Sequence, residues 1–418
     1  MREHAQSEDG AGGGAAQRRW PPILGGVLLN LALGMFYGLS VFLLPLEKEF
    51  GWTREQTSWV SSVGIVIIAS TYIFAGKLYD RKGPRVVAII GGVTYSLGYL
   101  LASTISSLTS FYLTVGLLLG IANGFGYVIP TAVASKWFPD KRGLMIGLMV
   151  GSYGAGSGIF GPLAAKLMEH LGWRGVFQVY ALIFFVMTMI AAVLLKNPPA
   201  GYRPPNWRAQ AAAAPPVDVP AAEMVRTSTF KFLWIAYAFG TAAGLMVISQ
   251  LVPFARSAGY SAATAALAIT VGALGNAAGR IFSGWLSDRA GRLNTLRGAL
   301  IVSAAVFPAL YLLRTEVVAF YALLCLAYYC YGTQLSVYAC TSADFYGTRN
   351  IGLNYALLFS AWGVAGILGP FLGGRVYVAT GDYRLAFFIA AGAELVALVA
   401  LTFARSPQRN PLPVLAAG

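Results

Sequence analysis

The phrase Gly76-Lys-Leu-Tyr-Asp80-Arg81-Lys-Gly83-Pro-Arg85 returns 208 positions later as Gly284-Trp-Leu-Ser-Asp288-Arg289-Ala-Gly291-Arg292. The same offset lays Trp137-Phe138-Pro139 on Phe345-Tyr346-Gly347, Ser152 on Ser360, Gly158 on Gly366 and Gly161-Pro162 on Gly369-Pro370. One offset held over distant segments marks a duplicated structural unit. Whatever architecture the first half adopts, the second half must be able to adopt as well.

The solvent of that unit follows from its side chains. Of the residues, 57% are hydrophobic and 11% charged, against about 25% charged in a soluble domain. A bilayer core of roughly 30 Å takes about 20 apolar residues per helix. Twelve such spans occur, near 20–46, 56–79, 84–104, 108–135, 141–165, 174–196, 229–255, 262–286, 296–313, 317–341, 350–374 and 384–404. Backbone amides inside hydrocarbon must be paired within their own segment, and these runs exceed the roughly 10 residues of a barrel strand. The expectation is an all-α membrane protein of twelve transmembrane helices, seated in the lipid bilayer.

Basic residues set its orientation. With the N-terminus inside, cytoplasmic segments hold 21 of the 30 Lys and Arg residues, the other side holds eight, and Arg280 lies within a span. The net charge of +14 is therefore mostly a topology signal. Nucleic-acid binding is excluded, because the charge is scattered over short loops. Eight of the nine tryptophans, Trp20, Trp52, Trp137, Trp173 and Trp285 among them, fall near span ends or in loops, where an interfacial belt forms. Only Trp362 lies deep in a helix.

The expected layout is a cytoplasmic tail at 1–19, a six-helix bundle at 20–196, a Pro/Ala-rich linker at 197–228, a second bundle at 229–404 and a cytoplasmic tail at 405–418. Residues 1–19 lack the short apolar region of a signal peptide. Cys325, Cys330 and Cys340 share one helix, and His4 and His170 fall outside the core. No disulfide framework, metal site or cofactor is therefore expected.

The repeated Gly-x3-Asp-Arg-x-Gly phrase, after spans 2 and 8 of a twelve-span chain, resembles the major facilitator superfamily. Within it, Trp137-Phe-Pro-Asp-Lys-Arg-Gly143, the linker start Asn197-Pro-Pro-Ala-Gly-Tyr and an arginine in span 8 resemble the monocarboxylate transporter and oxalate/formate exchanger branch. The resemblance implies a bacterial inner-membrane carrier of two six-helix bundles, monomeric, rocking about a central site. The glycines Gly143, Gly147, Gly151, Gly154 and Gly158 of span 5, and Gly272, Gly275 and Gly279 of span 8, suit helices that slide closely.

The phrase also has a direct physical reading. Asp80 and Asp288 stand among Arg81, Arg85, Arg289 and Arg292, where a carboxylate binds either those arginines or the N-terminus of a neighbouring helix. Such a cluster is a latch, which the resemblance places in the outward-open state. A plain topogenic charge cluster is the competing account.

Function turns on Arg280. It precedes Asp288 by eight residues, about 12 Å of helix, which puts it near the midplane. A lipid-facing arginine there costs from about 2.5 to above 10 kcal/mol, so it must face a cavity or a partner. The offset places Tyr72 at the matching position of the first half, so the duplicated scaffold does not require the charge. The other deep ionisable side chain is Glu394 of span 12, which the resemblance assigns to the outer scaffold, away from the cavity. A guanidinium without an internal acid suits the carboxylate of a small monocarboxylate.

The resemblance adds Tyr127, Tyr37, Tyr153 and Tyr331 as aromatic cavity positions, and phenol hydroxyls can donate to a carboxylate. Asn276, one turn before Arg280, is a second donor; Asn123, Ser360 and Gln334 are weaker candidates. Trp362 stands where oxalate-handling relatives carry a lysine, which favours lactate or pyruvate over a dianion. Asn276 replaces the aspartate of animal monocarboxylate transporters, so proton symport and anion exchange both stay open, with the proton-linked route favoured. An enzyme is not expected, since the spans hold no paired acids or nucleophile and base. A membrane receptor or sensor for a small carboxylate is the alternative of another class.

Overall fold

The computed structural model describes residues 19–199, 202, 204 and 218–406. The remainder of both expected tails and most of the linker lie outside the described residues. Among the described residues the chain is helix and short connections, with no strand.

Span 1 is Trp20–Leu33 and Ser40–Phe50, joined by a 3-10 stretch at Gly34–Gly38. Span 2 is Arg54–Lys82 and span 3 Pro84–Ala102. Span 4 runs from Leu108–Phe111 through a π-helical stretch, Tyr112–Leu118, into Leu119–Trp137. Spans 5 and 6 are continuous as Arg142–Leu194 except at Gly172, whose φ of 63° and ψ of 173° break the helix. Span 7 is Ser228–Ser249 followed, after Gln250, by Leu251–Ser257. Spans 8 to 12 are Ala262–Ala290, Arg292–Leu312, Val317–Tyr346, Ile351–Thr380 and Arg384–Phe403. Ten stretches are long and apolar enough to cross a membrane. Dividing Pro139–Leu194 at Gly172 and adding the more polar span 8 gives twelve.

Local chemistry accounts for where these helices begin and end. Span 2 starts with a capping box, Thr53 accepting from Gln56 N while the Gln56 side chain accepts from Thr53 N. Spans 7 and 8 start on the hydroxyls of Thr227 and Ser261. Spans 2 and 8 both stop at the glycine of the repeated phrase, Gly83 at φ 78° and Gly291 at φ 87°. That region suits glycine, so the next helix can start one residue later.

The two halves are six-helix bundles related by the repeat. In the first, span 1 packs on span 5, span 2 on span 4, and span 3 on span 6; in the second, span 7 packs on span 11, span 8 on span 10, and span 9 on span 12. The bundles meet where span 2 lies on span 11 and span 5 on span 8. The repeat exchanges these two contacts, since span 8 is the copy of span 2 and span 11 the copy of span 5. Arg85 of span 3 donates to the Ala192 and Val193 carbonyls at the end of span 6, at 3.2 and 3.0 Å. Arg297 of span 9 reaches the Leu401 carbonyl of span 12 in the same manner. Each arginine faces the negative end of a helix dipole.

Candidate functional site

The site lies between spans 1, 2, 4, 5, 8, 10 and 11. A tryptophan, four phenols and an arginine converge there. The 3-10 stretch of span 1 presents Tyr37, whose ring stands edge-on to Tyr153 of span 5 at 5.2 Å. Tyr153 in turn meets Tyr127 of span 4 at 4.9 Å and donates its hydroxyl to Asn123 Oδ1 at 2.9 Å. Trp362 of span 11 stacks on Phe359 at 5.0 Å and donates its indole N–H to the Tyr331 hydroxyl of span 10 at 2.9 Å. Tyr37, Ile68, Asn123, Tyr127, Tyr153, Leu335, Phe359 and Trp362 enclose a cavity of about 10 Å³, room for about one water molecule.

Arg280 is 1% exposed. Its Nε donates to Asn276 Oδ1 at 2.8 Å, and its Nη1 crosses to the other bundle to donate to the Val150 carbonyl of span 5 at 2.6 Å. The hydroxyls of Tyr37, Tyr127, Tyr153 and Tyr331 all lie within its electrostatic reach, and Tyr37 is coupled to it most closely. Among the described residues Arg280 makes no ion pair. A buried charge without a counter-charge is strongly disfavoured unless its donors are satisfied. Here a backbone carbonyl and an amide oxygen, both neutral, take two of its five N–H donors.

Glycines grade the span 5–span 8 interface. A Cβ at Gly143 would strike the Gly284 carbonyl oxygen, and one at Gly147 the Arg280 carbonyl oxygen. Further along, a Cβ at Gly154 would sit 3.5 Å from Arg280 Nη1, while Gly158 and Gly161 have no described atom within 4 Å. The bundles are therefore sealed on the side of the repeated phrases, the basic face, and part beyond Arg280.

On that basic face both acids of the repeat turn to the other half. Asp80 accepts from Gly352 N at 3.0 Å and Leu353 N at 2.9 Å, at the start of span 11. Asp288 accepts from Gly143 N at 2.8 Å and Leu144 N at 3.1 Å, at the start of span 5. Of the two partners the sequence left open, the helix N-terminus is common to both acids. Of the four arginines named with them, only Arg292 joins an acid, bonding Asp288 at 2.7 Å and Asp344 at 2.6 Å. Arg81 is exposed, Arg85 caps span 6, and Arg289 lies over the Trp285 ring. Asp344 also pairs with Arg142 of the first half. This cross-bundle link was not anticipated, because neither residue belongs to the repeated phrase.

Of the weaker candidates, Ser360 accepts from Trp234 Nε1 at 2.9 Å, donates to the Leu357 carbonyl, and is absent from the cavity lining. Gln334 is fully buried with both side-chain polar atoms unpartnered. Ile68, Leu335 and Phe359 line the cavity without having been anticipated. Their only signal was spacing, Leu335 one turn after Tyr331 and Phe359 three residues before Trp362. No cluster of three His, Cys, Asp or Glu side chains able to hold a metal occurs among the described residues.

Two pseudo-symmetric six-helix bundles around one buried polar site are the architecture of a secondary transporter. The chain matches the Major Facilitator Superfamily model over residues 26–332 and 234–417, and it belongs to that family of membrane transporters, not enzymes. It is 28% identical over 400 residues to the oxalate:formate antiporter of Oxalobacter formigenes, covering 95% of this chain and 94% of that protein. Monocarboxylate transporter 13 of Bos taurus is also 28% identical, over 402 residues, 95% of this chain and 90% of that one. An uncharacterized MFS-type transporter of Escherichia coli K12, YhjX, is 28% identical over 354 residues, with 84% and 86% covered. In fold the chain is similar to the crystal structure of FucP in the outward conformation, with a TM-score of 0.69 at 16% identity over 92% of this chain and 98% of that one.

Proposed function

We propose that this chain carries small monocarboxylates of the lactate and pyruvate type across the bacterial cytoplasmic membrane by alternating access, coupled to a proton, with both termini in the cytoplasm. The observation that carries this reading is Arg280, buried at the bundle interface and satisfied only by neutral oxygens. A carboxylate can displace the Val150 carbonyl and form a charge-assisted pair in its place. None of the residues that enclose the cavity is basic, and Arg280 stands beside it, where its charge reaches the lining phenols Tyr37, Tyr127 and Tyr153. One cation matches one carboxylate. The names of two relatives, an oxalate:formate antiporter and a monocarboxylate transporter, support small carboxylates as the substrate class, and formate and the monocarboxylates share the single charge.

Asn276 beside Arg280 supports a second reading, anion exchange, because no acid accompanies the guanidinium. The purified protein in liposomes separates the two. Uptake of labelled lactate driven by an inward proton gradient, and abolished in Arg280→Gln, is the expected result. Uptake that ignores the gradient and needs internal anion establishes exchange. Saturable binding with no uptake marks a receptor, and wild-type uptake by Arg280→Gln overturns the role given to the arginine.

A further inference from the structure

A second buried ionisable group sits in the other wall of the same bundle. Glu394 of span 12 is 1% exposed, and neither of its carboxyl oxygens has a hydrogen-bond partner among the described residues. Span 12 packs on spans 7, 9 and 11. Span 9 supplies Ser303, whose hydroxyl is already given to the Ala299 carbonyl at 2.9 Å. Span 10 supplies the titratable groups in electrostatic reach, Cys330 and Tyr338. Span 7 supplies Tyr237, whose ring stacks on Tyr338 at 4.2 Å. Span 11 places Tyr355 beside Tyr237. Among the described residues no lysine or arginine acts on Glu394. A bare carboxylate so placed is disfavoured by several kcal/mol, whereas the neutral acid needs only to share one hydrogen. The group therefore holds a proton in this conformation.

From Glu394 a row of phenols leads to the arginine. Tyr338 and Tyr237 are followed by Tyr355, then Tyr72, whose ring lies 5.9 Å from Tyr355 and 6.0 Å from Tyr127, the latter in the cavity wall. The hydroxyls of Tyr338, Tyr237 and Tyr72 are buried and unpartnered. Buried hydroxyls are satisfied by protein or by water, and interposed waters would join this row into one hydrogen-bonded path. Intramembrane carboxyls at the end of such rows serve as proton sites.

We infer that Glu394 is the proton-binding site of the transporter, linked to Arg280 through the Tyr338–Tyr237–Tyr355–Tyr72 row. The inference rests on the carboxylate-transport reading of Arg280 and supplies the group that reading lacks. The step is one protonation: the Glu394 carboxylate takes one proton and becomes the neutral acid, leaving the bundle with the single charge of Arg280. That charge then draws one substrate anion. Loaded, the carrier holds a guanidinium–carboxylate pair and a neutral acid; on the empty return it holds a guanidinium and a Glu394 carboxylate, which requires that this carboxyl reach water in a conformation other than the present one. Both states are neutral, while either passenger alone leaves a net charge in the membrane. The stoichiometry is one proton per monocarboxylate.

The test combines flux with a direct readout of the proton. In liposomes Glu394→Gln is expected to lose proton-driven lactate accumulation, and the ratio of lactate counterflow to proton-driven uptake should rise about tenfold or more. Glu394→Asp, which keeps the acid, should recover part of the accumulation. In infrared spectra of the wild type a carboxylic-acid C=O band should be present at neutral pH, absent in Glu394→Gln and shifted in Glu394→Asp. Accumulation by Glu394→Gln equal to wild type, or a band unchanged in both variants, overturns the assignment. Should the wild type move no monocarboxylate, the transport reading fails instead, and the infrared band alone decides whether Glu394 holds the proton.

Discussion

Arg280 spends two donors on acceptors that an incoming anion can replace. A lysine at this position keeps the charge but loses the planar fork, so Arg280→Lys should weaken lactate binding by about 3 kcal/mol, roughly 100-fold in half-saturation. Flux against concentration measures it. The about 10 Å³ cavity is too small for lactate until side chains move, and Trp362 is the largest of them. Trp362→Ala should therefore raise the uptake of bulkier monocarboxylates relative to lactate, by about tenfold in a competition assay; an unchanged preference would reduce Trp362 to packing. Arg280 stood out in the sequence because a charge in hydrocarbon must have a reason to be there, Asn276 because it lies one turn away on the same face, and the phenols only through the family resemblance. Ile68, Leu335 and Phe359 could not, since an apolar side chain on a cavity wall looks the same as one facing lipid. Ser360 shows the converse limit: its place in the repeat was legible, but not that its hydroxyl would turn to Trp234.

Helix ends and helix contacts decide which side is shut. Two charge-assisted bonds join each acid of the repeat to a helix N-terminus, each worth about 1 kcal/mol. Asparagine keeps one acceptor oxygen, so Asp80→Asn/Asp288→Asn removes about one bond at each site and should loosen the basic face by about 2 kcal/mol, shifting the conformational balance about 30-fold. Raised labelling of a cysteine placed at Ala339, buried near that face, would report it. Gly147→Val acts on the same equilibrium from inside the interface, because its side chain meets the Arg280 backbone. It should abolish transport while leaving the protein folded, as judged by an unchanged elution volume. The repeated phrase marked matching helix ends after spans 2 and 8. It did not foretell the docking of span 2 on span 11 and span 5 on span 8, because a repeat fixes what corresponds and not what touches.

The molecule as a whole is two bundles related by one repeat whose copies have diverged over most of their length, Tyr72 against Arg280 being the buried difference that bears on the site. Duplication, span count and the basic-residue bias were all open to a reading of the sequence, since each follows from a pattern longer than any local ambiguity. The route between Glu394 and the cavity was not, because it runs through five spans from both halves. An electroneutral cycle predicts that lactate uptake under a fixed proton gradient changes less than about twofold when a potassium diffusion potential of either sign is imposed, since only net charge moved across the membrane does work against the potential. A rate that follows the potential would mean that proton and anion cross in unequal number.

Because each acid grips the opposite half, neither bundle holds the key to its own door. Asp80 fastens the span 2–span 11 seam and Asp288 the span 5–span 8 seam, so opening the basic side has to undo both. A carrier fastened in this crosswise fashion has little opportunity to stand half ajar, and a leak of unescorted ions through one seam is prevented by the other.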